Sequence, residues 1–253
     1  MRTTEELRAL VVAQLEELDV APELGSLERP MLYAVGGKLI RPVLCLATAE
    51  ALDVDPEDAL PAGIAVELIH SFSLVHDDLP ALDDDEIRRG KPTVHSEFGE
   101  RTAILVGDAL LAEAFRLAAS YESPSVVREL ARATLRMIGG QQLDFEGSAD
   151  REAVHRLKTA ALFEAPVGCA LLLAGVPESR QSRWRAFARE VGLLFQAVDD
   201  LLDGDGFVLE RGDDGARALA DEHARRAQAI LGELDAETSV LAGIVDGLTS
   251  RTS

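Results

Sequence analysis

The sequence predicts an all-α protein, a single-domain helical bundle over residues 1–253, on three observations. Leu and Ala dominate a composition that is 47% hydrophobic yet only 4% aromatic, the material of packed helices rather than of a β-sandwich. Apolar residues recur at helical spacing along most of the chain. No stretch alternates with period two between hairpin signals, so no strand is expected. A chain of 253 residues buries one sizeable core and makes no demand for two.

Taken in order, Thr3 and Glu6 form a capping box ahead of Leu7, Leu10, Val11, Ala13 and Leu15, which places the first helix. Further helices are predicted at roughly 41–53, 57–78, 95–121, 124–146, 150–174, 178–203, 214–234 and 236–249. Ser123 before Pro124 is a cap followed by a proline at the first helical position. Pro80 closes the helix before it, because it disfavours helical geometry at Leu79 and cannot continue the hydrogen bonding. Cys45 and Cys169 sit in the apolar runs VLCLA and VGCALLL and read as buried reduced thiols, with no disulfide framework or metal spacing.

The net charge of −20 argues against affinity for a nucleic-acid backbone. Small anions would need a few placed Arg and Lys side chains, or divalent cations bridging carboxylates to phosphates. The N-terminal segment is acidic and amphipathic, with neither a basic n-region nor an apolar h-region, and no later apolar run reaches the roughly 18 residues of a membrane span. The expectation is a soluble cytoplasmic protein with no integral membrane segment.

Two aspartate clusters recur about 120 residues apart, at the ends of two predicted helices. In FQAVDDLLD, Asp199 and Asp203 are four apart and share a helix face, with Asp200 beside them. A solvated acidic face is one reading; the apolar Leu193, Leu194, Phe195, Ala197 and Val198 just before it favour a cavity wall instead. In HDDLPALDDDEIRRGKPTVH, Asp77 and Asp78 end a helix and the chain returns Asp83, Asp84 and Asp85. Five carboxylates so close repel one another without cations. Hard oxygen donors with no Cys nearby point to magnesium or manganese rather than zinc, and His70, His76 and His95 have no zinc-ligand spacing. Arg88, Arg89 and Lys91 follow, guanidinium forks and an ammonium suited to outer phosphate oxygens. A second basic group, GGKLIRP, carries Lys38 and Arg41 behind two glycines; alone it is weak and is no Walker loop.

Together these residues resemble the trans-isoprenyl diphosphate synthases, or polyprenyl synthetases, which include the farnesyl and geranylgeranyl diphosphate synthases. The similarity runs from about Gly36 to Asp203 and includes GDALL at 107–111, GQQLD at 140–144 and KTAALFEAP at 158–166. It implies an isoprenoid-synthase bundle with a central cavity, in which an allylic diphosphate is condensed with isopentenyl diphosphate. Carried over by motif, Asp77, Asp78 and Asp83 would hold two magnesium ions, and Asp199, with Asp203 through water, a third, manganese being an alternative. Arg88, Lys158 and Gln196 would face the allylic diphosphate; Lys38, Arg41, His70 and Arg89 the isopentenyl diphosphate. Lys158, Thr159 and Gln196 would act at the developing cation, although a helical Thr more often bonds its own backbone. Outside this constellation His70 reads as a satisfied core histidine. Phe72, five residues before Asp77 and beside the small Ser73, would lie deeper in the cavity because helical side chains lean toward the N-terminus, and would act as a floor. In the family an aromatic there goes with short products, which points to farnesyl over geranylgeranyl diphosphate. The alternative is that Phe72 is ordinary core and a neighbouring helix sets the length. A homodimer is also implied.

Two departures stand out. Leu39 replaces an arginine of the usual GGKRLRP, which predicts one weaker phosphate contact. After Asp203 the family's glycine- and lysine-containing loop is absent and no lysine follows Lys158, leaving Arg211 as the candidate substitute. A catalytically weak homologue acting as the partner or regulatory subunit of another synthase, or a class I terpene cyclase, therefore stay open as readings.

Overall fold

The computed structural model describes residues 1–147, 150–204 and 206–250. Helix α1 (Thr4–Glu16) starts at the expected capping box, with Thr3 and Glu6 bonded reciprocally. A 3₁₀ turn (Pro22–Leu27) and α2 (Glu28–Ala34) follow; the proline-punctuated segment gives no long period and went unpredicted. Then come α3 (Ile40–Ala51), α4 (Pro56–Asp77), α5 (Val94–Phe98), α6 (Glu100–Ala118) and α7 (Ser125–Phe145). The chain closes with α8 (Arg151–Lys158), α9 (Ala161–Leu173), α10 (Glu178–Asp203), α11 (Phe207–Leu231) and α12 (Ser239–Thr249).

Several expected spans differ, the last helix among them, which starts at Ser239 rather than 236. The helix at 95–121 is broken at Gly99, and the one at 150–174 at Thr159–Ala160, where polar α8 gives way to buried α9. Ser123 caps the backbone of Ser125 with Pro124 as cap residue, one position later than expected. Helix α11 starts earlier than predicted and bends at Gly212. Two strands of two residues, β1 (Ile87–Arg88) and β2 (Lys91–Pro92), form a hairpin with Arg88 opposite Lys91. They are too short for an alternation to show. Its tip is Arg89–Gly90, both at positive φ (54° and 75°).

Helix α9 is buried on nearly every side, as a central helix must be, and packs against α3, α4, α7 and α10. Along α10, Trp184, Phe187, Val191, Leu194 and Val198 are buried at helical spacing, a stripe worth roughly 1.5–3 kcal/mol per large side chain removed from water. Helix α4 is 22 residues long and apolar enough to pass by length for a membrane span, against the expectation, but 72% of its apolar window is buried inside the protein. Both cysteines are buried and free.

Candidate functional site

Helices α4 and α10 end beside each other's aspartates because each stops for a local reason. Past Asp78 the chain cannot remain helical before Pro80, and it folds back so that the Asp83 amide donates to the Asp77 carbonyl at 2.9 Å. That bond brings the two halves of the first acidic cluster together. Helix α10 ends on Gly204 in the left-handed conformation (φ 73°), just after Asp203.

Asp77, Asp83, Asp199 and Asp203 line one cavity of about 680 Å³, with Phe72, Ser73, Lys158, Thr159 and Gln196 also on its wall. A second cavity, of about 730 Å³, is lined by Lys38, Arg89 and Glu67. Arg41, His70, Arg88, Asp199 and Asp203 border both, so the two spaces meet at one seam. Either volume is of the size that holds a small ligand.

The cations are held in distinct ways. Lys38 Nζ lies 3.3 Å from Asp199 Oδ1. Arg41 is buried between aromatic faces, its guanidinium carbon 4.5 Å from the Phe163 ring centre and 5.4 Å from that of Phe195. Desolvation, only partly offset by Glu67 and Asp199, brings Arg41 down to about 10. Arg88 donates from Nε to Asp78 at 2.6 Å and from a terminal nitrogen to Asp85 at 3.2 Å. Arg89 donates to the Gly36 carbonyl. Lys158 pairs with Asp144 at 2.8 Å. Gly140 permits this pairing, because a Cβ there would stand 2.3 Å from the Lys158 amide nitrogen.

Thr159 does not bond back onto its helix. Its hydroxyl donates to Gln196 Oε1 at 2.7 Å, Gln196 Nε2 donates to Asp200 at 2.6 Å, and Asp200 accepts the Phe207 amide at 2.8 Å. This relay ties α9's start to the segment beyond Asp203. Arg211 stacks over Phe207, 5.8 Å from its ring centre. Asp205 lies outside the described residues. His70 is held well below the ordinary imidazole range by burial, then by Arg41, Arg89 and Arg88, and so is neutral.

Asp78 differs from its neighbours: it is buried, ion-paired with Arg88, and faces a small space under the hairpin rather than the large cavity. Among the described residues no three His, Cys, Asp or Glu side chains converge closely enough to hold an ion by themselves. His76 and His95 each contact a backbone carbonyl through Nε2, that of Ile104 and that of Asp85. The donor set nevertheless fits a hard divalent cation. Burial pushes Asp77 up to about 6, Asp83 and Asp78 add to the shift, and Lys158 and Arg88 oppose it without cancelling it. Such a carboxylate, facing two more across a cavity, is undercompensated in a way that a divalent cation relieves.

Three residues were not foreseen. Glu67 is 1% exposed with one unpartnered oxygen, and Arg41 Nε is likewise unpartnered; the signal was a lone acid inside the apolar run GIAVELIH. Asp144 lay within the GQQLD already singled out. Arg8, on α1, lines the second cavity and donates to the Gly37 carbonyl at 3.4 Å. Leu39, at φ 53°, is almost wholly buried yet lies on the wall of the same cavity, where it brings no charge.

A helical bundle in which two aspartate clusters face one cavity, and Arg8, Lys38, Arg41, Arg88 and Arg89 border the next, defines a class of all-α proteins with paired acidic motifs beside a basic one. The family model for polyprenyl synthetase matches residues 25–212. The chain is 37% identical to the farnesyl diphosphate synthase of Bacillus subtilis over 93% of its own length and 91% of that protein's. It is 39% identical to a chloroplastic geranylgeranyl pyrophosphate synthase of Catharanthus roseus over 88% and 73% of the two lengths. A crystal structure of an FPP/GFPP synthase from Zymomonas mobilis superposes with a TM-score of 0.85 at 34% identity, covering 97% of this chain and 98% of the other. The chain belongs to the polyprenyl synthetase family.

Proposed function

We propose that this chain condenses an allylic diphosphate with isopentenyl diphosphate, making farnesyl diphosphate, with geranylgeranyl diphosphate as the longer alternative. The observation that carries this is the seam between the two cavities: an aspartate-lined space and an Arg- and Lys-lined space share Arg41, His70 and Arg88. The allylic diphosphate lies in the first, near Arg88, Lys158 and Gln196; the isopentenyl diphosphate lies in the second, near Lys38, Arg41, His70 and Arg89. The allylic C–O bond breaks with its electron pair leaving on diphosphate. The isopentenyl double bond attacks the resulting cation, forming a C–C bond, and a proton is lost to the departing diphosphate. Lys158 offsets charge on the leaving group, and the oxygens of Thr159 and Gln196 face the cation. Phe72, with the small Ser73 beside it, closes the cavity.

Asp77, Asp83, Asp199 and Asp203 would hold magnesium, three ions with diphosphate bound or manganese in their place, with Asp78 acting through Arg88 unless its ion pair opens. When bound, those cations neutralise the leaving diphosphate. The continuous core supports reading the chain as one domain over 1–253. Exposed Ile104 and Leu105 on α6 and Leu135 and Ile138 on α7 support a homodimer. A cytoplasmic location belongs to the same reading.

A weak homologue serving a second synthase is the competing reading, favoured by the stacking of Arg211 on Phe207 and by the want of a lysine after Lys158. A terpene cyclase has no use for the second, cationic cavity. Incubation with labelled isopentenyl diphosphate, magnesium and allylic primers of increasing length, followed by product sizing, tests all three. Elongation of a primer supports the proposal; a folded protein that elongates none refutes it.

A further inference from the structure

Phe72 and His76 are four apart on α4, and the His76 side chain leans back along the helix onto the Phe72 ring. The two rings meet edge to face, centres 5.0 Å apart at 74°. His76 is fixed from its other side by α6. Its Nε2 lies 3.1 Å from the Ile104 carbonyl, and because a carbonyl only accepts, Nε2 carries the hydrogen. One turn on, Gly107 leaves the ring its place: a Cβ at that position would stand 2.1 Å from Nε2. The glycine of GDALL thus has a purpose that the condensation chemistry does not use. Both rings line the first cavity, and Phe72 is itself almost wholly buried.

We infer that His76 is a positioning residue for product length: wedged between Phe72 and the bare backbone of Gly107, it holds the Phe72 ring across the end of the cavity. The inference rests on the reading of Phe72 as the floor. With His76 gone, the space between Phe72 and α6 opens and the phenyl ring has a second staggered position to occupy. The growing chain then passes where the ring stood. A residue of this kind changes where synthesis stops, which a general contribution to stability does not.

The test is product sizing with labelled isopentenyl diphosphate for the parent, Phe72→Ala, His76→Ala, His76→Asn, His76→Phe and the Phe72→Ala/His76→Ala double variant. An edge-to-face contact of about 1 kcal/mol corresponds to a factor of about five. His76→Ala and His76→Asn are therefore expected to raise the share of products one five-carbon unit longer about fivefold. His76→Phe, which keeps a ring in the wedge, is expected to retain the parent length. The double variant is expected to match Phe72→Ala, because His76 acts through Phe72. If Phe72→Ala lengthens the product while His76→Ala and His76→Asn do not, the inference is overturned and the floor stands. Lengthening by His76→Phe, or a double variant that exceeds Phe72→Ala, overturns it as well. If Phe72→Ala keeps the parent length, the floor reading is what has failed, and the inference falls with it.

Discussion

Replacing Glu67 with glutamine is expected to stabilise the protein at pH 8 and to leave its stability nearly unchanged at pH 4. Glu67 is 1% exposed, makes no ion pair with Arg41, and keeps one oxygen unpartnered. Burial pushes its carboxyl from 4.5 up to about 7, with Arg41 and then Arg89 opposing the shift. The folded state therefore binds this proton more tightly than the unfolded chain does. The stabilisation that follows is complete below the unfolded value of 4.5 and is lost as pH rises through about 7. At about 1.4 kcal/mol per unit, the loss amounts to about 3 kcal/mol by pH 8. For a chain of this size that is a difference in melting temperature of about 6–12 °C. Glutamine has nearly the same shape and no charge at any pH, so the difference between parent and variant isolates the one group. The shift of Arg41 to about 10 lies outside the window. Urea unfolding of both proteins at pH 4, 5, 6, 7 and 8 measures it. Parallel curves, within about 0.5 kcal/mol across the range, would refute the assignment of a desolvated carboxyl.

Asp77→Asn and Asp199→Asn are each expected to lower turnover about a hundredfold or more at saturating substrate, with helix content by circular dichroism unchanged; near-normal turnover in either would end the paired-cluster reading. Arg41→Lys gives up the planar contact between Phe163 and Phe195, and steady-state kinetics should show the Michaelis constant for isopentenyl diphosphate rising about tenfold, with that for the allylic primer little changed. Sedimentation at micromolar concentration is expected to show a dimer, and a monomer would remove the proposed role of the exposed α6 and α7 side chains.

The long helices were legible because their apolar residues recur with the helical period and their ends carry chemical stop signals, as at Pro80 for α4. What the period cannot show is a turn with no breaker in it. Thr159 and Ala160 separate the polar, half-exposed end of α8 from the buried α9, and no Gly or Pro marks the place. The acidic clusters were legible as clusters, since repulsion among neighbouring carboxylates is a matter of sequence alone. Which way Asp78 turns was not, because that is decided by Arg88, which returns through the hairpin. Nor could sequence reveal Glu67 beside Arg41, or Arg8 at the second cavity: each meets its surroundings through tertiary packing of helices far apart in the chain.

The hairpin tip carries a tension of its own. A left-handed backbone at its first position and Gly at its second is the conformation that Asn-Gly adopts with least cost, yet an arginine occupies the first place, at φ 54°. A left-handed backbone penalty of order 1 kcal/mol, from the Cβ crowding the following carbonyl, is thus borne at a surface turn by a side chain that reaches Gly36. Arg89→Asn should raise the melting temperature by about 2–4 °C and weaken capture of isopentenyl diphosphate. Selection for heat resistance alone would drift this position toward asparagine or glycine, whereas selection for turnover would hold the arginine. The arginine at the tip thus exchanges some stability of the turn for a guanidinium beside the second cavity.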